Sequence, residues 1–160
     1  MQLFTVKAIG TVHSPFIHPK GTPIQPIGAQ GVKGTVELSP EYVPGLKDLD
    51  GFSHIILLYY FHLADDGPMI VTPYMEDKSR GIFSVRMPGR PNHIGLSVVR
   101  LLGIRDNILD IENVDILDGT PLLDIKPYVT AFDVYKTEKE GWLAPISNEA
   151  INKKCDGRFS

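Results

Sequence analysis

The chain has 160 residues, of which 42% are hydrophobic and 22% are charged, as is typical of one soluble globular domain. Its net charge of −3 at pH 7 argues against a non-specific nucleic-acid coat, and its single cysteine, Cys155, excludes an internal disulfide and a cysteine zinc cluster. The longest apolar run, Ile55–Phe61, is too short to cross a bilayer, and the N-terminus lacks a signal-peptide pattern, so we expect a cytoplasmic protein without a membrane segment.

Short apolar runs separated by thirteen prolines and fifteen glycines favour strands and turns over long helices. The pattern predicts about seven strands, at Phe4–Val12, Gly34–Leu38, His54–Phe61, Gly81–Arg86, Ile94–Ile104, Ile108–Leu117 and Val129–Tyr135. It also predicts a helical turn at Pro44–Leu49 and a short C-terminal helix at Asn148–Lys154. Because no βαβ alternation is present, we expect an all-β, single-domain β-barrel.

The run Ile94–Ile104 also fits a helix, since Leu96, Val99 and Leu102 recur at every third position. Two glycines and a β-branched pair within the run favour a strand instead. We divide the chain into a barrel domain, residues 1–140, and a tail, residues 141–160, which we expect to pack on the barrel through Trp142 and Leu143.

Two long loops are candidates for a functional site. Ser14–Gly34 is rich in proline and glycine, and Asp65–Ser79 is more acidic. Loops of this length inside a compact domain are usually disordered or part of a site. A third candidate is the turn Leu117–Pro121, where exposed backbone groups beside Asp118 suit a ligand's amine or hydroxyls, although a plain hairpin turn explains the same residues.

Positive charge is concentrated in Lys78–Arg105, which carries six basic residues and no acid. Such segregation places positive potential on one face, where an anion or polyanion could bind, but a solvated basic strand has the same pattern. Within it, Pro91 fixes the backbone between Arg90 and Asn92. The arginine suits a phosphate and the asparagine suits a base edge, and a structural turn remains the simpler interpretation of these three residues.

Known catalytic motifs are absent from the sequence: there is no GxGxxG after a strand, no P-loop, no HExxH and no GxSxG. The histidines lack the close spacing of a zinc site, so we predict no metal. They are His13, His18, His54, His62 and His93.

Several longer segments occur in the order found in one family. They are IGTVHSPF, QPIG, GFSHIILLYYFH, GIFSVR-x3-RPN-x-IGLS and LDGTPLLDIKPY, which together span about Ile9–Tyr128. With these segments the chain resembles the TsaA-like family of tRNA methyltransferases, in the short form without the C-terminal domain of bacterial members. The resemblance implies a β-barrel, S-adenosyl-L-methionine as methyl donor, and a homodimer. It also implies an acceptor in the tRNA anticodon stem-loop, the exocyclic nitrogen of threonylcarbamoyladenosine.

The resemblance also implies site residues. The cofactor-binding set is Gln25, Pro26, Ile27, His62, Leu63, Arg86, Leu96, Asp118, Gly119, Thr120 and Pro121. For RNA we expect contacts from three arginines of the basic segment, Arg80, Arg90 and Arg105. The chain departs from the family at Val85, where threonine is usual, at His93, where proline is usual, and at His13, where arginine is common.

No catalytic base is assigned by the sequence. Asn92 and Asp118 are candidates by chemistry, the first for orienting a substrate amide, and His93 is a third. Two alternatives stay open: a methyltransferase for another RNA or a small molecule, and a non-catalytic barrel that binds the cofactor or a nucleotide.

Overall fold

The computed structural model describes residues 2–73, 77–146 and 154–155. Its strands are β1 (Gly10–His13), β2 (Lys33–Leu38), β3 (His54–Tyr60), β4 (Ile70–Val71), β5 (Arg80–Gly81), β6 (Ile94–Arg105), β7 (Ile108–Glu112) and β8 (Thr120–Pro127). Six of them close into an antiparallel barrel in the order β1-β2-β7-β6-β3-β8, and β4 pairs with β5 in a separate two-stranded sheet. The predicted all-β barrel is therefore confirmed.

Helical structure in the described residues is limited to segments of seven residues or fewer. One is α-helical, α1 (Thr130–Asp133). The 3-10 turns are Pro26–Ala29, Pro40–Leu46, Leu49–Gly51, Ile82–Ser84 and Gly141–Leu143. None of the helices in the described ranges has the length and apolarity needed to cross a membrane.

The barrel interior is filled by alternate residues of its strands, as the two-residue repeat of a strand requires. In β3 the residues that point inward are Ile55, Leu57 and Tyr59, all with less than a twentieth of their surface exposed. Their neighbours in the core are Val12, Val36, Leu38, Val99, Leu101, Leu109, Ile111, Val114, Ile116 and Leu122. Each large apolar side chain buried in this way contributes about 1.5–3 kcal/mol, so the alternation fixes the register of every strand.

Most predicted strands are present, with shorter limits in several cases. The long strand at Ile94–Arg105 confirms the strand interpretation over the helical one. The first strand begins only at Gly10, and the strand predicted at Ile108–Leu117 ends at Glu112. The helix predicted at Asn148–Lys154 lies, apart from Lys154, outside the described residues.

Two predicted strands are wrong. Half of Gly81–Arg86, the residues Ile82–Ser84, is a 3-10 turn, because the Ser84 hydroxyl donates to the Gly81 carbonyl at 2.8 Å and closes the turn locally. Most of Val129–Tyr135 is α1 and its flanks, where the Val129 N–H donates to the Asp133 carboxylate at 2.7 Å. The apolar side chains there are exposed, so their alternation does not reflect a buried sheet face.

Strand β8, Thr120–Pro127, was not predicted. Its two prolines, Pro121 and Pro127, are typical of a turn in sequence, but they stand at the beginning and the end of the strand, where a missing N–H is tolerated. This strand closes the barrel by pairing with β1 on one side and β3 on the other.

Candidate functional site

A cavity of about 850 Å³ opens at one end of the barrel. The antiparallel register brings the end of β3, the beginning of β6 and the beginning of β8 to this position. The first long loop and the segment after β5 complete the wall. A concave site of this volume is of the size that holds a small organic ligand.

The wall combines a largely apolar surface with a few polar side chains. The apolar part includes Pro23, Ile24, Leu63, Phe83, Val85, Leu96 and Trp142, and the polar part includes Gln25, Tyr59, His62, Arg86, Arg90, Asp115, Thr120 and Cys155. Such a combination is typical of a ligand site, where apolar surface gives affinity and a few polar groups fix orientation.

The structure brings six of the predicted cofactor residues together on this wall. They are Gln25, His62, Leu63, Arg86, Leu96 and Thr120. The other five, Pro26, Ile27, Asp118, Gly119 and Pro121, adjoin these residues in the chain but are not part of the wall. The predicted cofactor role of all eleven residues stays a prediction.

Arg86 connects two segments that are far apart in the chain. Its Nη1 donates to Gln25 Oε1 at 3.1 Å, which joins the first loop to the segment after β5. The guanidinium is exposed and carries further N–H donors in a planar fork suited to a carboxylate or phosphate. The pair therefore forms a polar corner in a largely apolar cavity.

Arg90 has a structural role. Its Nη1 donates to the main-chain oxygens of Val85 at 2.7 Å and of Ile82 at 3.3 Å, and its guanidinium lies 5.9 Å from the centre of the Phe83 ring. These contacts hold the wall segment that carries Arg86. The predicted RNA contact of Arg90 stays a prediction, but its guanidinium is already engaged by main-chain acceptors.

The turn before β8 places Thr120 in the wall. Gly119 has a φ of +76°, a conformation that glycine adopts without strain. The buried Thr120 hydroxyl then lies 3.4 Å from His62 Nδ1. Asp118 is turned elsewhere, since its Oδ1 accepts the Ser14 N–H at 3.1 Å and lies 3.4 Å from His13 Nδ1. A catalytic role for Asp118 is not supported by this position.

Asp115 is a wall residue that the sequence-based reasoning missed. Its Oδ1 accepts a hydrogen bond from the Ser97 hydroxyl at 2.7 Å, and Tyr59 OH lies 3.0 Å from the Ser97 oxygen. Because the serine proton is used for Asp115, the tyrosine is the donor in the second bond. Burial raises the pKa of Asp115 to about 6, and burial together with the nearby Asp115 charge raises the pKa of Tyr59. The signal in the sequence is one acid between Val114 and Ile116, two apolar core residues.

The two other catalytic candidates, Asn92 and His93, are not part of the wall. His93 is 8% exposed with a φ of +48°, and its Nε2 lies 3.1 Å from an Asp66 carboxylate oxygen. The ring also packs on Tyr60, with 5.7 Å between centroids. These contacts give His93 a role in the turn before β6.

Residues near the C-terminus cover part of the cavity. The Trp142 indole N–H donates to the Ser84 carbonyl at 2.9 Å, and the Arg80 guanidinium lies 5.6 Å from the indole centre. Cys155 exchanges main-chain hydrogen bonds with the first loop, to Thr22 and from Gly21, each at 2.8 Å. The cavity wall therefore includes residues from both ends of the chain.

Local ion pairs neutralise part of the basic segment. Arg105 makes a bidentate pair with Asp110, with both N–O distances 2.8 Å, which lowers the pKa of that carboxyl. Arg100 lies 3.8 Å from Glu112. Since two of the six basic residues pair with acids of β7, the positive surface is smaller than the sequence suggests. Within residues 2–73, 77–146 and 154–155, no group of three His, Cys, Asp or Glu side chains is arranged to hold a metal ion.

Comparison with known proteins gives consistent matches. The sequence profile of the tRNA-methyltransferase O N-terminal domain matches residues 11–134. The chain is 52% identical over 153 residues to a probable S-adenosyl-L-methionine-binding protein of Pyrococcus abyssi, with 96% of this chain and 83% of that protein covered. It is 34% identical over 139 residues to the tRNA (adenine(37)-N6)-methyltransferase of Escherichia coli K12, with 81% and 59% covered.

A solved structure shares the fold. The crystal structure of TrmO from Pseudomonas aeruginosa matches with a TM-score of 0.74 at 38% identity, and the match covers 88% of this chain and 63% of that one. The chain thus spans about three fifths of the length of this protein and of the Escherichia coli enzyme.

Proposed function

The chain belongs to the tRNA-methyltransferase O family, and from this premise we propose that it methylates the exocyclic nitrogen of threonylcarbamoyladenosine beside the anticodon of a tRNA. Its cofactor is S-adenosyl-L-methionine, as the descriptions of relatives in three archaeal organisms indicate. The observation that carries the proposal is the cavity, whose wall includes residues from four of the five family segments: QPIG, GFSHIILLYYFH, GIFSVR-x3-RPN-x-IGLS and LDGTPLLDIKPY.

The residues on the wall fit this cofactor. Arg86, supported by Gln25, would bind the carboxylate of its methionine part through charge-assisted hydrogen bonds. The apolar surface formed by Leu63, Phe83 and Leu96 would pack on its adenine ring. When bound, the cofactor supplies an electrophilic methyl group on a sulfonium.

The chain itself contributes position and shielding. Methyl transfer is an in-line displacement, so the alignment of donor and acceptor supplies much of the rate. Arg90 holds the segment that carries Arg86, and the Trp142 indole also holds this segment, through the Ser84 carbonyl. These contacts preorganise the wall before any ligand enters.

Arg80 is the best placed of the predicted RNA-binding residues. Its guanidinium lies over Trp142, a residue of the cavity wall, and this position beside the cavity supports the proposed contact with the acceptor nucleotide. Arg105 is held by Asp110, and we assign it a smaller share of binding. Each phosphate neutralised steepens the salt dependence of RNA binding by roughly 0.7–0.9 in the slope of log affinity against log salt concentration.

We further propose that the protein acts as a homodimer in the cytoplasm.

Mass spectrometry of tRNA nucleosides tests this function. The protein is incubated with cofactor and with tRNA that carries threonylcarbamoyladenosine, and the same tRNA without the threonylcarbamoyl group is the control. We expect the N-methylated nucleoside only in the first sample. Methylation of a different nucleoside would favour another RNA acceptor, and cofactor binding without any product would favour a non-catalytic barrel.

Tryptophan fluorescence gives a simple measure of cofactor binding. Because Trp142 is the one tryptophan of the chain and lies on the cavity wall, its emission should change saturably as S-adenosyl-L-methionine is added. Trp142→Phe should abolish the signal and weaken binding by no more than about tenfold, since the lost hydrogen bond to Ser84 contributes roughly 1 kcal/mol. Calorimetric binding without any change in emission would place the cofactor away from Trp142.

A further inference from the structure

Asp115 is the one carboxylate on the cavity wall among the described residues. It follows β7 in the chain and lies between Val114 and Ile116, whose side chains are in the core. An acid in this position loses part of its hydration, which reduces the stability of the folded protein. Such a residue suggests that its charge has a function. The cofactor contacts proposed above involve Arg86 and the apolar wall, and they assign no role to Asp115.

One hydrogen bond orients the Asp115 carboxylate, and a second holds the serine that donates it. Ser97 is 1% exposed on β6, and its hydroxyl donates to Asp115 Oδ1 at 2.7 Å. Tyr59, on the adjacent strand β3, is held 3.0 Å from the Ser97 oxygen. Ser97 uses only part of the hydrogen-bonding capacity of a carboxylate, which can accept several donors. Asp115 can therefore accept another N–H from a group inside the cavity.

The acceptor nitrogen in the proposed reaction needs such a partner. It carries a hydrogen that must leave when the nitrogen gains a methyl group, and its lone pair is weakened by the carbamoyl substituent. A carboxylate whose pKa is raised to about 6 by burial is a stronger base than an ordinary aspartate and is still mostly ionised at neutral pH.

We propose that Asp115 is the catalytic base that accepts the hydrogen of the acceptor nitrogen, and that Ser97 is the positioning residue that orients it. This assignment rests on the proposed function. The nitrogen lone pair forms the new N–C bond while the methyl carbon's bond to sulfur breaks, its electron pair remaining on sulfur. The N–H proton passes to Asp115, which becomes a neutral carboxylic acid and later releases the proton to water.

Other titratable groups on the wall are less suited to this role. They are Tyr59, His62, Arg86, Arg90 and Cys155. The arginines remain cationic and cannot accept a proton, and Tyr59 is a buried neutral phenol that donates to Ser97. His62 Nδ1 is engaged with Thr120, and Cys155 lies on the segment that pairs with the first loop.

The test compares Asp115→Asn with Asp50→Asn, a variant of an exposed aspartate outside the cavity. Single-turnover methylation of tRNA with saturating cofactor is measured across pH, and cofactor affinity is measured by calorimetry. We expect Asp115→Asn to lower the rate by at least about 100-fold and to change the cofactor Kd by less than about threefold. Asp50→Asn should have nearly the wild-type rate. A rate within about threefold of wild type, or a loss of cofactor affinity as large as the loss of rate, would overturn the assignment.

The pH profile of the methylation rate is a second test of the assignment. Because the base acts when ionised, the wild-type rate should rise with pH through an inflection near 6 and then level off. The Ser97 hydrogen bond stabilises the ionised form, so Ser97→Ala should move the inflection to higher pH. An inflection unmoved by Ser97→Ala would contradict the proposal. Absence of product with the wild-type protein would overturn the proposed function as well, whereas equal rates in wild type and Asp115→Asn would overturn only the role of Asp115.

Discussion

Replacing Arg86 with alanine is expected to weaken binding of S-adenosyl-L-methionine by about 10- to 150-fold. The side chain supplies a charged fork at the polar corner of the cavity, and hydrogen bonds to charged groups contribute roughly 1.5–3 kcal/mol each. The substitution also frees Gln25 from its hydrogen bond with Arg86, so the first loop loses one contact with the wall. Isothermal titration calorimetry measures the change directly.

Arg105→Ala is the matched control for Arg86→Ala. It removes the same charge from the same basic segment, but its guanidinium is paired with Asp110 on β7. Cofactor affinity should therefore stay within about twofold of wild type. Equal losses in the two variants would mean that overall charge, rather than the contact in the cavity, determines affinity.

Replacing Gly95 with alanine should reduce the free energy of unfolding by about 3 kcal/mol. Gly95 is directly opposite Tyr59 in the β3–β6 ladder, and a methyl group at this position would overlap the tyrosine ring. The ring has little room to move, because it is 4% exposed and packs edge-on against Phe61 at 5.3 Å. Moving it would also break its hydrogen bond to Ser97.

Gly103→Ala is the control on the same strand. No atom lies within 4 Å of a methyl group built there, so we expect a change below about 0.5 kcal/mol. Urea denaturation separates the two variants, with the midpoint for Gly95→Ala lower by about 1–2 M. Equal midpoints would show that the Tyr59 ring moves aside without loss of stability. The conclusion that this end of the barrel is tightly packed would then be contradicted.

The closeness of Gly95 and Tyr59 links stability to the proposed chemistry. The glycine leaves space for the tyrosine, the tyrosine donates to Ser97, and Ser97 donates to Asp115 on the cavity wall. Packing in the barrel thus supports the hydrogen bond that orients a carboxylate on the cavity wall. A variant that stays folded but displaces Tyr59 should affect catalysis before it affects cofactor binding.

The sequence predicts a strand well where alternate residues enter the core. The long strand Ile94–Arg105 is such a case, because buried and exposed residues alternate along most of it. Strand prediction from sequence fails where local hydrogen bonds, or pairing with strands distant in the chain, determine the structure. Val129–Tyr135 has the apolar alternation of a strand but no sheet to cover it, and Thr120–Pro127 forms a strand despite two prolines, because β1 and β3 lie on either side.

In the candidate site, too, some residues are predicted from the sequence and others are found only in the structure. Family motifs identify Gln25 and Arg86, and the structure joins their side chains. Asp115 carries no motif that single-sequence reasoning recognises, and its orientation depends on Ser97, which lies eighteen positions away on β6. The different environments of Arg80, Arg90 and Arg105 also cannot be predicted from the sequence, because each depends on a residue that folding brings close.

The most direct test of the account is a crystal structure of the protein with S-adenosyl-L-homocysteine, the product left after methyl transfer. We predict that the ligand lies in the cavity at the barrel end. Its carboxylate should contact Arg86, and its sulfur should point toward the part of the cavity lined by Asp115. A ligand bound outside this cavity, or bound inside it without contact to Arg86, would contradict the account.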